Sequence, residues 1–339
     1  MRIATVLDAL SRRNLTREEM TEIFRHLMTG EYNDIEVSGL VCALKARGET
    51  PEEIAGAASA LRAAALPFPT PDYRYADTCG TGGDGSGTVN VSTAVAIVTA
   101  EMGLPVAKHG NRSVSSQCGS ADVLEAVGVK LDPSPEVARR CLDEVGVCFL
   151  FAPQYHAGVR HAMPVRKTLA TRTIFNLLGP LSNPSHPAFQ LMGVYDPALC
   201  RPLAVTLGLL GCEAALVVHG EGLDEIALHG VTTAALWKDG RVTELEFTPE
   251  EAGLARYDLV TLRGGDPAHN AKWLRGMLGG GNGVAPAHRA AVAVNAGALA
   301  WIAGLSDTLG TGVELALDAI DSGRCVQRLD RWVEVSQSA

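Results

Sequence analysis

Residues 77–93 read DTCGTGGDGSGTVNVST, and five of the eight positions from 80 to 87 are glycine. Glycine lets the backbone adopt positive φ and approach a bulky anion closely, and successive N–H groups can then converge on phosphate oxygens. Asn90, Ser92 and Thr93 fall at the predicted start of the next helix, where free N–H groups and the helix dipole favour an anion. Hydroxyl groups there can also contact a phosphate-bound Mg²⁺. The run is a candidate phosphate-binding loop; a flexible turn followed by an ordinary helix cap is the alternative.

This glycine loop does not fit two common nucleotide-binding motifs. Gly80, Gly82 and Gly85 meet the spacing GxGxxG, but the position about 20 residues on, where a ribose-binding acid is expected, is Glu101 inside a predicted helix. The pattern GxxxxGK[ST] is absent, which excludes a P-loop NTPase.

A second polar loop, residues 107–120, reads AKHGNRSVSSQCGS and lies between a predicted strand and another predicted helix. Lys108, Arg112 and three serines within nine residues give it the composition of a second anion-binding loop. Two such loops in succession favour one ligand with phosphate groups at opposite ends, such as a phosphorylated sugar that carries a pyrophosphate. A solvated surface loop is the alternative.

A third segment, VVHGEGLDEI at 217–226, follows a buried apolar run and places Asp224 beside Glu225. Neighbouring carboxylates repel each other and need a cation or solvent. Near a pyrophosphate the natural cation is Mg²⁺, which binds one or two carboxylates together with waters and phosphate oxygens. A solvated acidic pair is the alternative.

The pattern of apolar residues along the chain changes near residue 70. Apolar residues recur with a helical period in SRRNLTREEMTEIFRHLMTG, the segment TPEE at 50–53 is typical of a helix start, and three prolines in LPFPTPDYR end this pattern. Beyond it, short apolar runs alternate with helical ones, which implies a mostly parallel sheet covered on both faces. We therefore predict an α/β protein with a small all-helical domain at 1–68 and a larger α/β domain at 72–339.

The predicted strands are 75–79, 105–108, 147–151, 189–194 and 214–219, and the predicted helices of the larger domain are 91–102, 120–127, 135–144, 197–210, 285–303, 313–322 and 324–335. Residues 161–181 read as helix rather than strand, and we expect them to return to the first domain.

Bulk composition excludes several classes of protein. The formal net charge of the 339 residues is −9, which argues against non-specific binding to nucleic acid or to an anionic membrane. No run of 18 apolar residues and no signal-peptide pattern occurs. The eight cysteines are scattered without a CxxC pair, as expected for reduced, mostly buried thiols in a cytoplasmic protein rather than for zinc or disulfides.

Together with FAPQYHAGVRHAMPVRKTLATRTIFNLLGPLSNP, the three segments resemble the anthranilate phosphoribosyltransferases of tryptophan biosynthesis, in order along nearly the whole chain. The resemblance implies a fold like that of the nucleoside phosphorylases and phosphoribosyltransferases, with the active site in a cleft between the domains and a homodimer formed through the helical domain. It also implies transfer of phosphoribosyl from phosphoribosyl pyrophosphate (PRPP) to the amine of anthranilate, with two Mg²⁺ ions per subunit.

The same resemblance implies roles for individual residues. The expected metal ligands are Ser92, Asp224 and Glu225, and the positions that match anthranilate contacts are Gly80, Asn111 and Arg166. His109 and Tyr155 match the walls of the anthranilate entry channel. The PRPP-binding positions are Gly80, Gly83, Asp84, Thr88, Asn90, Val91, Ser92, Thr93, Lys108, His109, Gly110, Asn111, Arg112, Ser113, Val114, Ser115, Ser116 and Ser120.

The sequence departs from the family pattern at three places: His156-Ala157-Gly158-Val159, Ala170-Thr171 and Gly230-Val231. The first two lie near the expected acceptor channel and bear on its shape.

Two other functions remain open. A pyrimidine nucleoside phosphorylase would share the architecture and the glycine-rich loop but would need neither the Asp224-Glu225 pair nor the KHGN loop. A non-catalytic, nucleic-acid-binding relative of the same fold would call for a basic surface, which a net charge of −9 does not supply.

Overall fold

The computed structural model describes residues 2–113, 117–281 and 283–338. The expected PRPP-binding positions Val114, Ser115 and Ser116 lie outside the described residues. No helix in these ranges is long and apolar enough to cross a membrane.

The amino-terminal segment is helical, as predicted. Capping boxes begin three of its helices: Thr16, Asn33 and Thr50 each accept, through the side-chain oxygen, the N–H of the glutamate three residues on. Its helices are α1 (Ile3–Leu10), α2 (Arg17–Met28), α3 (Asp34–Arg47) and α4 (Pro51–Ala63).

Within the described residues the sheet has seven strands in the order β3-β2-β1-β4-β5-β6-β7. The first five pair in parallel, whereas β6 and β7 pair antiparallel at one edge. The strands are β1 (Ala76–Gly80), β2 (Val106–Gly110), β3 (Val147–Phe151), β4 (Phe189–Gly193), β5 (Ala214–His219), β6 (Thr232–Lys238) and β7 (Arg241–Phe247). The five predicted strands are confirmed as parallel neighbours.

The β6–β7 hairpin was not predicted. Asp239 and Gly240 connect its strands and both adopt positive φ, at 51° and 75°, as a two-residue hairpin turn requires. An Asp-Gly pair between two runs of strand-forming residues is a recognisable hairpin signal, so the sequence did contain the information.

Helices cover both faces of the sheet. They are α5 (Val91–Glu101), α6 (Ser120–Ala126), α7 (Pro135–Val145), α8 (Ala152–Tyr155), α9 (Met163–Leu169), α10 (Phe175–Leu181), α11 (Cys200–Leu209), α12 (Pro267–Leu278), α13 (Pro286–Ile302), α14 (Leu309–Asp321) and α15 (Arg324–Gln337). The helix expected over 161–181 is two helices, because Ala170 takes a left-handed conformation with φ 46° and ends α9. Helix α12 was not predicted.

The helical segment shares a hydrophobic core with one face of the sheet. Met192, Val194 and Val217 from the central strands lie in the same buried cluster as residues of α2, α3 and α4. Arg62 of α4 reinforces this contact: its Nε donates to the carbonyl of Leu181 at 2.7 Å and its Nη1 to the carbonyl of Leu210 at 3.3 Å. A buried guanidinium thus meets the carbonyl-rich ends of α10 and α11.

All eight cysteines lie in the described ranges, and all are free thiols. Cys42 is exposed and Cys79 half-buried, while the other six are buried. The prediction that most of the cysteines are buried is confirmed.

Candidate active site

The three candidate segments leave neighbouring strands at the same edge of the sheet. Gly80 at the end of β1 pairs in register with Gly193 at the end of β4, and β4 pairs in parallel with β5. The glycine loop, the 107–120 loop and the acidic segment therefore meet where open α/β sheets bind ligands, at the carboxyl ends of their strands.

The glycine loop has the backbone that its composition predicted. Gly82, Gly83, Gly85 and Gly87 all have positive φ, between 61° and 77°. The N–H of Gly82 donates to Oδ2 of Asp224 at 2.8 Å, which ties this loop to the acidic segment.

Two glycines make room for the acidic segment. A Cβ on Gly80 would lie 2.4 Å from Oδ2 of Asp224, and a Cβ on Gly193 would lie 1.5 Å from the Asp224 carbonyl oxygen. Both distances are far inside van der Waals contact. Gly193 was not among the predicted site residues; a glycine at the carboxyl end of a buried strand is the signal that could have identified it.

Three carboxylates meet at this edge. The N–H of Asp224 donates to Oδ2 of Asp84 at 3.4 Å. Burial, followed by the nearby charge of Asp84, raises the pKa of Asp224 to about 7. Burial and the charge of Asp224 raise the pKa of Glu225 to about 8, against the opposing effect of the Lys108 ammonium. A cation at this point would favour the charged forms and lower both pKa values.

The donor set fits Mg²⁺ as the cation. Carboxylate oxygens and the Ser92 hydroxyl are the hard ligands that Mg²⁺ prefers. In the described part of the chain, no group of three or more His, Cys, Asp and Glu side chains is arranged to hold a metal alone.

Lys108 lies beneath the start of α5. Its side chain is 2% exposed, and its Nζ donates to the carbonyl of Thr78 at 2.6 Å and to the hydroxyl of Ser92 at 3.1 Å. The ammonium therefore joins the end of β1, the end of β2 and the first turn of α5.

The start of α5 places several of the expected residues. Asn90 forms no side-chain cap of its own helix; instead it donates to the carbonyl of Cys118 at 3.1 Å and accepts from Asn270 at 2.8 Å. Val91 and Thr93 are buried, and the hydroxyl of Thr93 has no hydrogen-bond partner in the described part of the chain. Asn270, on the unpredicted α12, was missed because only the fold brings it to this loop. Thr88 pairs with Arg263 in an isolated antiparallel bridge.

The second loop is held by α6. The guanidinium of Arg112 forms ion pairs with Asp122 at 3.0 Å and Glu125 at 2.8 Å. The N–H groups of Ser113 and Gly119 donate to Oδ2 of Asp122 at 3.0 Å and 2.8 Å. Arg112 is therefore engaged with α6 in this structure, and a phosphate would have to compete with two carboxylates for it.

Gly110 and Asn111 contact the start of α6. The hydroxyl of Ser120 donates to the carbonyl of Asn111 at 3.3 Å, and a Cβ on Gly110 would lie 2.4 Å from that hydroxyl. Asn111 is exposed. This half of the loop closes against α6 and leaves the Asn111 side chain toward solvent.

Arg166 lies half-buried on α9, with its guanidinium carbon 5.5 Å from the centre of the Phe175 ring. Burial lowers its pKa, and no carboxylate forms an ion pair with it within the described residues. A half-buried guanidinium without an anionic partner is suited to a ligand carboxylate.

The two residues expected to line the anthranilate entry channel are buried. Tyr155 is 1% exposed and His109 is 4% exposed. The ring of His109 packs edge-on against His156 at 5.1 Å, and its Nδ1 lies 3.2 Å from the carbonyl of Gly179. Burial lowers the pKa of His156 to about 4 and that of His109 well below its usual value, so both rings are neutral near pH 7.

Comparisons with known proteins agree with this geometry. Residues 3–65 match the helical bundle domain of the glycosyl transferase family, and residues 72–326 match its a/b domain. An anthranilate phosphoribosyltransferase from Sorangium cellulosum is 62% identical over 98% of this chain and 95% of its own, and one from Aeromonas hydrophila is 52% identical over 95% and 94%.

Solved structures give the same result. The anthranilate phosphoribosyltransferase of Thermus thermophilus superposes over 100% of both chains with a TM-score of 0.93 at 42% identity. The enzyme from Saccharomyces cerevisiae in complex with PRPP and Mg covers 99% of this chain and 98% of its own, with a TM-score of 0.88 at 27% identity. On sequence and fold alike, the chain belongs to the anthranilate phosphoribosyltransferase family.

Proposed function

We propose that this edge of the sheet catalyses the reaction of the family: transfer of the phosphoribosyl group of PRPP to the amine of anthranilate, giving N-(5-phosphoribosyl)anthranilate and pyrophosphate in tryptophan biosynthesis. The observation that carries the proposal is the joining of the glycine loop to the acidic segment by the 2.8 Å hydrogen bond between Gly82 and Asp224. One ligand at this point would contact both.

PRPP would lie along the glycine loop and the start of α5. Backbone N–H groups of the loop would donate to phosphate oxygens, and the positive end of the α5 dipole favours an anion at the same point. Lys108 adds a buried positive charge behind Ser92. The expected residues of the second loop, including Ser113 and Ser120, would bind the other phosphate group of the same ligand.

Departure of pyrophosphate is the demanding step, because negative charge accumulates on the leaving group and positive charge on the ribose. Mg²⁺ held by Ser92, Asp224 and Glu225 would neutralise charge on the pyrophosphate, and we propose two such ions per subunit. Lys108 and the loop N–H groups stabilise the same developing charge from fixed positions.

Anthranilate needs orientation rather than activation. Its aromatic amine is neutral and nucleophilic at pH 7, so no strong general base is required and catalysis rests on positioning. Arg166 would bind its carboxylate through the planar guanidinium fork, with Gly80 and Asn111 as further contacts.

The organisation of the whole protein is part of the proposal. The family matches at 3–65 and 72–326 support a helical domain at 1–68 and an α/β domain at 72–339. A homodimer through the helical domain, as the family resemblance implies, is also part of the proposal. Light scattering of the purified protein measures the stoichiometry.

The free thiols support a cytoplasmic location.

One assay tests the function against its main rival. Loss of anthranilate fluorescence after addition of PRPP and Mg²⁺, dependent on all three components, is the expected result. Phosphorolysis of a pyrimidine nucleoside with inorganic phosphate, without consumption of anthranilate, would contradict the proposal and establish the phosphorylase instead.

A further inference from the structure

A short segment between α9 and α10 contacts the glycine loop at Gly83, next to the Gly82 that contacts Asp224. Ala170 ends α9 in a left-handed conformation, and the chain then passes through Thr171 and Arg172 before α10. Ala170 and Thr171 were expected to affect only the shape of the acceptor channel, and Arg172 had no expected role.

Arg172 makes two contacts at the glycine loop. Its Nη2 donates to the carbonyl of Gly83 at 2.5 Å, and its guanidinium carbon lies 3.7 Å from the centre of the Tyr195 ring. The guanidinium therefore lies over the face of the ring, where its planar group can stack as a lysine ammonium cannot.

Tyr195 is itself fixed to the same loop. Its N–H donates to the hydroxyl of Thr81 at 3.2 Å, and the N–H of Thr81 donates to the carbonyl of Gly193 at 2.9 Å. The ring on which Arg172 rests is therefore anchored beside the glycine loop, so Arg172 approaches Gly83 from a defined direction.

The other end of the segment is attached to the helical part of the chain. Nζ of Lys45, on α3, donates to the hydroxyl of Thr171 at 2.5 Å. Consecutive residues thus contact the helical bundle through Thr171 and the glycine loop through Arg172.

The contact with Gly83 has a geometric consequence. Gly83 has φ 77° and lacks a side chain that could fix its orientation. A peptide group is planar and trans, so its C=O and N–H point in opposite directions. Holding the Gly83 carbonyl toward Arg172 therefore turns the N–H of Asp84 away from it.

We propose that Arg172 is a positioning residue for PRPP, acting through the peptide between Gly83 and Asp84. The inference rests on the proposed function, since it takes the glycine loop to be the PRPP site. Arg172 orders that loop before the substrate arrives, and Arg166 on the preceding helix serves the acceptor independently.

Steady-state kinetics of Arg172→Ala is the first test. We expect KM for PRPP to rise about tenfold, in line with one lost charge-assisted hydrogen bond, with KM for anthranilate changed less than about twofold and the melting temperature unchanged. Arg172→Lys should recover little, because it keeps the charge but cannot lie flat on Tyr195. Tyr195→Leu should raise KM for PRPP similarly, without adding to the effect of Arg172→Ala in the double variant.

Hydrogen exchange of the substrate-free protein is the second test, and it separates this inference from the function. Amides 82–88 should exchange faster in Arg172→Ala than in wild type, whatever reaction the enzyme catalyses. Arg160→Ala removes an exposed arginine away from the loop and is the control. Unchanged exchange together with an unchanged KM for PRPP overturns the proposal, as does full rescue by Arg172→Lys, which would indicate a simple charge effect.

Discussion

Asp224 accepts the N–H of Gly82 through one carboxylate oxygen, at 2.8 Å. A residue expected to bind a metal is therefore also a structural support of the loop expected to bind phosphate. The two roles can be separated, because an asparagine at this position keeps an acceptor for Gly82 and loses the charge.

We predict that the double variant Asp224→Asn, Glu225→Gln folds normally and loses at least about a hundredfold in kcat/KM, since the pyrophosphate charge is left without its cation. Asp224→Ala should in addition loosen the glycine loop, seen as faster hydrogen exchange of the Gly82 amide. Substitution of the exposed adjacent acids Glu250 and Glu251 by glutamine is the control. Full turnover by the Asp224→Asn, Glu225→Gln variant would show that the two carboxylates are only solvated and do not bind a catalytic cation.

The same pair should give the metal-free protein a measurable pH dependence of stability. The pKa values of Asp224 and Glu225 rise from 3.8 and 4.5 to about 7 and about 8 on folding. Folding therefore takes up protons, so this contribution to the free energy of unfolding is full below about pH 4 and is lost as the pH rises toward 8. Urea unfolding at several pH values should show wild type losing stability over this window relative to the double variant that carries both amides. A constant difference would show that the carboxyls titrate alike in both states.

Gly193 should tolerate no side chain. A Cβ there would lie 1.5 Å from the carbonyl oxygen of Asp224, so Gly193→Ala must displace the acidic segment, and we expect loss of activity with a lower melting temperature. Gly310→Ala on α14 is the matched control, because the nearest atom to its Cβ would be 3.9 Å away. That control should be as stable as wild type or more stable by up to about 1 kcal/mol.

Arg166→Ala should give the opposite kinetic pattern to the Arg172 variant. We expect KM for anthranilate to rise strongly, KM for PRPP to stay nearly constant and kcat to fall only in part, because the guanidinium orients the acceptor and does not contact the leaving group. Initial rates with each substrate varied in turn measure both constants. Equal increases in the two would indicate a general defect in domain closure.

Ala170→Gly should stabilise the protein. Ala170 has φ 46°, a conformation that costs an alanine about 1 kcal/mol. We expect a gain of about 0.5–1 kcal/mol in the free energy of unfolding. Ala64→Gly is the control, because Ala64 ends α4 with φ −90° and should lose stability instead. A loss at both positions would mean that the contacts of Thr171 and Arg172 require the alanine.

Local chemistry made the glycine loop and the five parallel strands predictable from sequence. Glycine favours positive φ and short apolar runs favour buried strands, so these features follow from the residue types alone. The structure has positive φ at the loop glycines and strands at the apolar runs. Asn270 could not be found in this way, since it matters only through a contact made across the fold. Gly193 did carry a local signal, a glycine at the end of a buried strand, but its contact with Asp224 is visible only in the fold. Arg112 shows the converse. The composition of its loop predicted that Arg112 binds a phosphate, yet in the fold its guanidinium forms ion pairs with two carboxylates.

The core that α2, α3 and α4 share with the sheet bears on how the protein unfolds. The buried Arg62 bonds across that core to carbonyls at the ends of α10 and α11, and its charge persists at any physiological pH. The proline-rich stretch near residue 70 therefore divides the sequence into two segments that we expect to unfold together. Calorimetry should give a single transition whose van't Hoff and calorimetric enthalpies agree, and the amino-terminal segment 1–68 expressed alone should expose an apolar face and associate.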